Sequence, residues 1–162
     1  MSKCLICNVP SNILESLNID YSYLNELDLN EKMDDLLNKT NLKFQEISFK
    51  HPFVFMHEYS EEEMNHITSH LKSNQINAIY AVSTPYNLQW TLKDLFNELL
   101  EEHEIFQTIN SLQSLMKEFI PFMNGNQKIK NLLMEAFIVL QNKDLNQMKQ
   151  MIQKLNNTKK SD

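Results

Sequence analysis

His103 falls on an apolar stripe. With Leu92 set at zero and about 100° added per residue, Leu92, Leu95, Phe96, Leu99, His103 and Phe106 cluster within about 60° of one helical direction. An imidazole on such a face should be buried or half-buried. Oriented by Glu102, it could serve as a general base or a ligand contact. Neighbours in sequence do not face each other on a helix, however. The expected reading is a core histidine bonded to backbone or to a nearby Asn or Glu. The lone tryptophan, Trp90, precedes the stripe. Thr91 should cap the helix, with Asp94 completing a capping-box-like pair. Asn87 could bridge the loop to the helix start through its amide, and Trp90 should seat the loop against a sheet in the manner of a hydrophobic staple. Asn87, Trp90, Thr91, Glu102 and His103 are therefore the candidate ligand-binding residues.

Other chemistry-bearing spacings point to scaffold. Glu62, His66 and His70 recur every four residues, a stripe that could hold a metal, but zinc-protease chemistry needs H-E-x-x-H, and Ile67-Thr68-Ser69 fill the gap. These side chains point some 90–170° from the inward direction of Met64, Ile67 and Leu71, so a solvated face is expected. One glycine in the chain leaves no Gly-rich phosphate loop. No G-x-S-x-G elbow occurs. Cys4 and Cys7 form C-x-x-C inside a strand-like segment, where residues three apart point to opposite faces. That suits neither a disulfide nor a shared metal, and two small buried residues are expected. No catalytic set, metal or cofactor emerges.

The 162 residues allow one ordinary domain plus an appendage, and the 42% apolar content can build a core. All 15 basic residues are lysine, so no bidentate guanidinium is available for phosphate. Residues 1–106 hold 7 lysines against 17 acids, and residues 107–162 hold 8 against 4. The first part should repel nucleic acid and anionic membranes, and the two parts should attract weakly. No apolar run is long enough to span a membrane, and residues 1–10 lack a signal-peptide pattern. A reducing cytoplasm is the expected setting.

The elements follow from periodicity. Residues 3–9 should form a strand. Ser11 should cap a short helix bearing Ile13, Leu14 and Leu17. Residues 20–25 make a second candidate strand, and 30–38 a helical turn burying Met33, Leu36 and Leu37. Between 39 and 50 only Phe44 and Ile47 offer anchors. In 51–59, Phe53, Phe55 and His57 share one strand face, with Val54 and Met56 on the other. Ser60 should cap a helix opening on three glutamates. Residues 76–82 read as another strand. Beyond Phe106 the apolar direction turns by about 130–150°, to Ile109, Leu112, Met116 and Phe119, which places a domain boundary near residue 107. Pro121 and Gly125 break that helix. An antiparallel pair should follow, with Ile129, Leu132, Leu133, Ala136, Phe137 and Leu140 on one helix. Leu145, Met148, Ile152 and Leu155 follow on the other, behind an Asp144 cap. Frayed residues should begin near 156. The expectation is an α+β chain: a ferredoxin-like βαββαβ sandwich over 1–106, a helical extension over 107–158 made of a long helix and a helical hairpin, and a disordered tail at 159–162.

Several of these residues also carry a family pattern. Asn8 and Pro10 close the first strand; a helix covers 61–74; a strand ends at Thr84; then come Asn87, Trp90, Thr91, Leu95, Glu98, Glu102 and His103. Over about residues 1–106 the chain resembles the bacterial family called domain of unknown function 3783. That resemblance implies a fold and a motif but no activity. The expected function is a non-enzymatic, cytoplasmic protein-interaction or regulatory binding module, contacting a protein partner or a second copy through an open sheet face, the Trp90 and His103 region, or the helical hairpin. One alternative is a small-molecule-binding or catalytic domain at a pocket near Trp90 and His103. Another is RNA binding, since RNA-recognition motifs share the βαββαβ order, residues 5–9 echo their first strand, and Lys50 with Phe53-Val54-Phe55 echoes their third. An acidic domain without arginine and without aromatics on its first strand argues against it.

Overall fold

The computed structural model describes residues 1–160. In chain order the elements are β1 (Lys3–Cys7), α1 (Ser11–Leu14), β2 (Tyr21–Tyr23), α2 (Met33–Leu37), β3 (Phe53–His57), α3 (Glu61–Ser73) and β4 (Ile79–Val82), then α4 (Leu92–Phe119), α5 (Gln127–Asn142) and α6 (Leu145–Lys159). The chain is thus a mixed α and β protein with a helical C-terminal region. It divides into two compact units, residues 1–99 and residues from 100 onward.

In the first unit the sheet order is β2-β1-β3-β4. β1 runs parallel to β2 and antiparallel to β3, and β3 runs parallel to β4. Alternation along the two central strands builds two cores. Cys4 and Ile6 of β1, with Val54 and Met56 of β3, meet Leu14 and Leu17 beside α1 and Ile67 and Leu71 of α3. Leu5 and Cys7, with Phe53 and Phe55, meet Met33 and Leu36 of α2 and Leu92, Leu95, Phe96 and Leu99 of α4. A strand covered on both sides reads as a continuous apolar run, and β1 is buried along its whole length.

Two expectations are corrected by this arrangement. The ferredoxin-like pattern is a split βαβ, in which each crossover passes over an intervening strand. Here each crossover returns to the adjacent position, β1 to β2 and β3 to β4. The order of elements along the chain is the same in both cases, so periodicity could not separate them. Nor does the sheet keep an open face, because helices and buried residues cover both sides.

Local capping follows the sequence closely, with one exception. Ser60 accepts from the Glu63 N–H at 3.3 Å, and the Glu63 carboxylate accepts from the Ser60 N–H at 2.7 Å, closing a capping box over α3. Ser11 does not cap α1: the helix starts one residue earlier than expected, with Pro10 as its cap and no side-chain bond.

The second unit packs the later part of α4 against α5 and α6. Leu112 and Phe119 are buried with Ile129, Leu132, Leu133, Ala136, Met148, Met151 and Leu155. A 3-10 turn containing Pro121 ends α4, and Gly125 takes φ +84, a conformation costly for residues with a Cβ. Asn126 accepts from the Ile129 N–H at 3.2 Å and Asp144 from the Gln147 N–H at 2.8 Å, capping α5 and α6. Two stripe assignments fail. Phe106 is 62% exposed and Phe137 56% exposed. The buried series of the first unit stops at Leu99, and Ala136 and Leu133 take the inward positions next to Phe137. Residues 156–159, expected to fray, continue α6. The last two residues of the expected tail lie outside the described residues.

Candidate functional site

The loop between β4 and α4 is built by Asn87. Its Oδ1 accepts from the Thr84 N–H at 2.8 Å, its Nδ2 donates to the Val82 carbonyl at 3.0 Å, and its own N–H donates to Thr84 Oγ1 at 3.1 Å. The amide therefore ties the loop back to the end of β4 rather than forward to the helix. Thr91 does the forward work: its Oγ1 accepts from the Asp94 N–H at 3.2 Å and donates to Asp94 Oδ2 at 2.7 Å. Trp90 acts through its backbone. Its carbonyl accepts from the Met33 N–H at 3.0 Å, and the Leu92 N–H donates to the Glu31 carbonyl at 3.0 Å, an isolated bridge between Lys32 and Thr91. The indole itself stays exposed, so it does not staple the loop to the sheet.

Glu102 and His103 belong to the second unit, whereas Asn87, Trp90 and Thr91 belong to the first. Glu102 is exposed and His103 half-buried. His103 Nε2 lies 2.8 Å from Nε2 of Gln107, one turn further along α4. That contact is to a side chain on the same helix, at i+4.

The Glu62, His66 and His70 stripe also separates into roles. Glu62 and His66 line a cavity of about 470 Å³ together with Leu17, Asp20, Tyr59 and Glu63. His70 instead fastens α3 to α1, with Nε2 2.8 Å from the Ile13 carbonyl and 3.1 Å from Ser16 Oγ. Among the described residues no group of three or more His, Cys, Asp or Glu is placed to hold a metal ion. Two further cavities, of about 640 and 390 Å³, are lined by residues such as Phe119, Phe122 and Ile129 in one and Ser22, Asp28 and Lys39 in the other.

Both thiols are free, and each is buried in a different core. Desolvation pushes Cys4 and Cys7 up to about 12, which removes them from thiolate chemistry at neutral pH.

One chemically suggestive contact was missed by pattern reading. His57 Nδ1 lies 3.0 Å from Ser83 Oγ, at the carboxyl ends of the parallel strands β3 and β4. Nucleophile and base at this distance are what hydroxyl activation requires. The other ring nitrogen is 3.8 Å from Glu58, but that carboxylate is paired with the amino terminus. None of the three cavities is lined by His57 or Ser83. The bond clasps the ends of two neighbouring strands. The signal for it was the register that sets Met56 beside Val82, which only strand pairing reveals.

The segment holding the β3–α3–β4 unit, the Asn87 turn and the first half of α4 is the part with a recognisable relative. Residues 52–106 match the family model described as Domain of unknown function (DUF3783). The matched segment includes Asn87, Trp90, Thr91, Glu102 and His103, and it begins after β1, β2 and α2. No curated protein and no solved structure matches the chain.

Proposed function

We propose that this chain is a non-enzymatic protein-interaction module working in the cytoplasm. One observation carries the reading: α5 is apolar on two sides. Its inner side is buried in the helical core, while Met134, Phe137 and Ile138, at i, i+3 and i+4, are 59%, 56% and 57% exposed. Contiguous exposed apolar side chains on one helix mark a surface meant to be covered by another protein. The first unit's excess of acids over lysines speaks against nucleic acid, and no helix among the described residues is long and apolar enough to cross a membrane. The two free thiols, buried on opposite faces of one strand, fit a reducing compartment.

The test is differential affinity capture from the source cells, comparing the natural chain with a Met134→Lys, Phe137→Lys, Ile138→Lys variant. A protein retained by the natural chain and lost from the variant, with circular dichroism and unfolding midpoint unchanged, supports the reading. Identical capture by both, or none by either, sinks it.

A further inference from the structure

The sheet is sealed along one edge and open along the other. Outside β2, the Tyr23 N–H donates to the Asn41 carbonyl at 2.7 Å and Asn41 Nδ2 donates to the Tyr23 carbonyl at 3.0 Å. The segment after α2 therefore covers that edge. β4 forms the opposite edge, and its phase is fixed by two bonds. The Ile79 N–H donates to the Pro52 carbonyl at 2.8 Å and the Ser83 N–H to the Met56 carbonyl at 3.0 Å. Ile79, Ala81 and Ser83 thus turn their backbone groups toward β3, and alternation along the strand turns those of Tyr80 and Val82 outward. Of these four outward groups, only the Val82 carbonyl has a partner among the described residues, Asn87 Nδ2.

Natural edges are usually blunted by lysine, proline, a bulge or an inward charge. β4 has none of these. No charged residue occurs between Lys72 and Lys93. In a chain of net charge −6, this neutral segment is where two identical surfaces can meet without like-charge repulsion. Val82 is 45% exposed, and Tyr86 and Trp90 in the following turn are exposed as well.

We propose that β4 pairs with β4 of a second copy of this chain, antiparallel about a two-fold axis at Ala81. Tyr80 then faces Val82 of the second copy and exchanges N–H and C=O bonds with it, and Val82 does the same with Tyr80 of that copy, its carbonyl using one lone pair for that N–H and the other for Asn87 Nδ2. A two-fold axis makes such an interface self-complementary, and the two four-stranded sheets become one continuous sheet. This goes beyond the α5 surface and does not depend on it.

The test combines sedimentation velocity with amide hydrogen exchange on the full chain. Val82→Pro removes an outward N–H without touching the β3 ladder, a position where an edge strand tolerates proline. Val82→Lys adds an edge charge and serves if the proline variant fails to fold. The natural chain should be dimeric at tens of micromolar, and the Tyr80 and Val82 amides should gain protection as concentration rises, while Ile79 and Ala81 stay protected throughout. Either variant should raise the dimer Kd at least tenfold. The α5 triple-lysine variant should dimerise like the natural chain, which separates this proposal from the one above. A monomer at all concentrations, an unchanged Kd in the folded variants, or concentration-independent exchange at Tyr80 and Val82 would overturn it.

Discussion

Phe49 and Phe96 stack face to face, with ring centroids 4.0 Å apart and planes 15° apart. Phe53 meets Phe96 edge-on at 5.1 Å and Phe49 at 6.0 Å. This three-ring cluster joins the loop before β3, β3 itself and the first turns of α4. It gives the irregular stretch after α2 a fixed place. Phe96→Ala should destabilise the first unit by about 3–5 kcal/mol, through lost transfer energy and a residual cavity. A Phe49→Leu, Phe96→Leu double-mutant cycle should show about 0.5–1.5 kcal/mol of coupling. Urea unfolding followed by circular dichroism measures both, and additive single effects would remove the stacking from the account.

Asn87 holds three bonds that shape the entry to α4. Replacement by Ala leaves the Thr84 N–H and the Val82 carbonyl without that partner, and should cost about 1–3 kcal/mol. Asn87→Asp keeps an acceptor for the Thr84 N–H but sets a carboxylate against the Val82 carbonyl. Its loss should be no smaller than that of Ala. An Asp variant as stable as the natural chain would mean that the Nδ2 bond contributes little.

Two histidines hold contacts of different reach. His70 reaches the Ile13 carbonyl and Ser16 from a neighbouring helix, so His70→Ala should cost about 1–2 kcal/mol. His103 meets Gln107 on its own helix, and such i,i+4 pairs are worth about 0.2–0.5 kcal/mol. The coupling between His103→Ala and Gln107→Ala in a double-mutant cycle should therefore be about 0.5 kcal/mol. A coupling above about 1 kcal/mol would give this pair more than a local role.

The buried thiols set an alkaline limit. Cys4 and Cys7 are pushed from an ordinary 9.0 up to about 12 by desolvation, and Tyr23 moves up to about 12 for the same chief reason. Between those pH values the folded chain keeps protons that the unfolded chain has released. Stability is then intact below about pH 9 and falls as pH rises toward 12. The urea midpoint should decline over that window, and less steeply in a Cys4→Ala, Cys7→Ala variant. At neutral pH iodoacetamide should modify neither thiol until urea unfolds the chain; prompt labelling in the folded state would contradict their burial.

Local chemistry made much of this protein legible from its residues. The capping pair Ser60 and Glu63, the cap at Thr91, the two faces of Phe53 to Met56, the opposed cysteines and the break at Pro121 and Gly125 all depend on near neighbours and on side-chain period. Along α4, Leu92, Leu95, Phe96 and Leu99 lie in one core and Leu112 and Phe119 in another. Tertiary structure alone decided how the strands pair. An order of strands and helices is compatible with a split crossover or an adjacent one, since pairing is set by contacts between residues far apart in the chain. The same limit hid the clasp of His57 on Ser83 and the stack of Phe49 on Phe96. It also hid the exposure of Phe106 and Phe137: a helical wheel ranks directions, but only packing decides how wide the covered arc is.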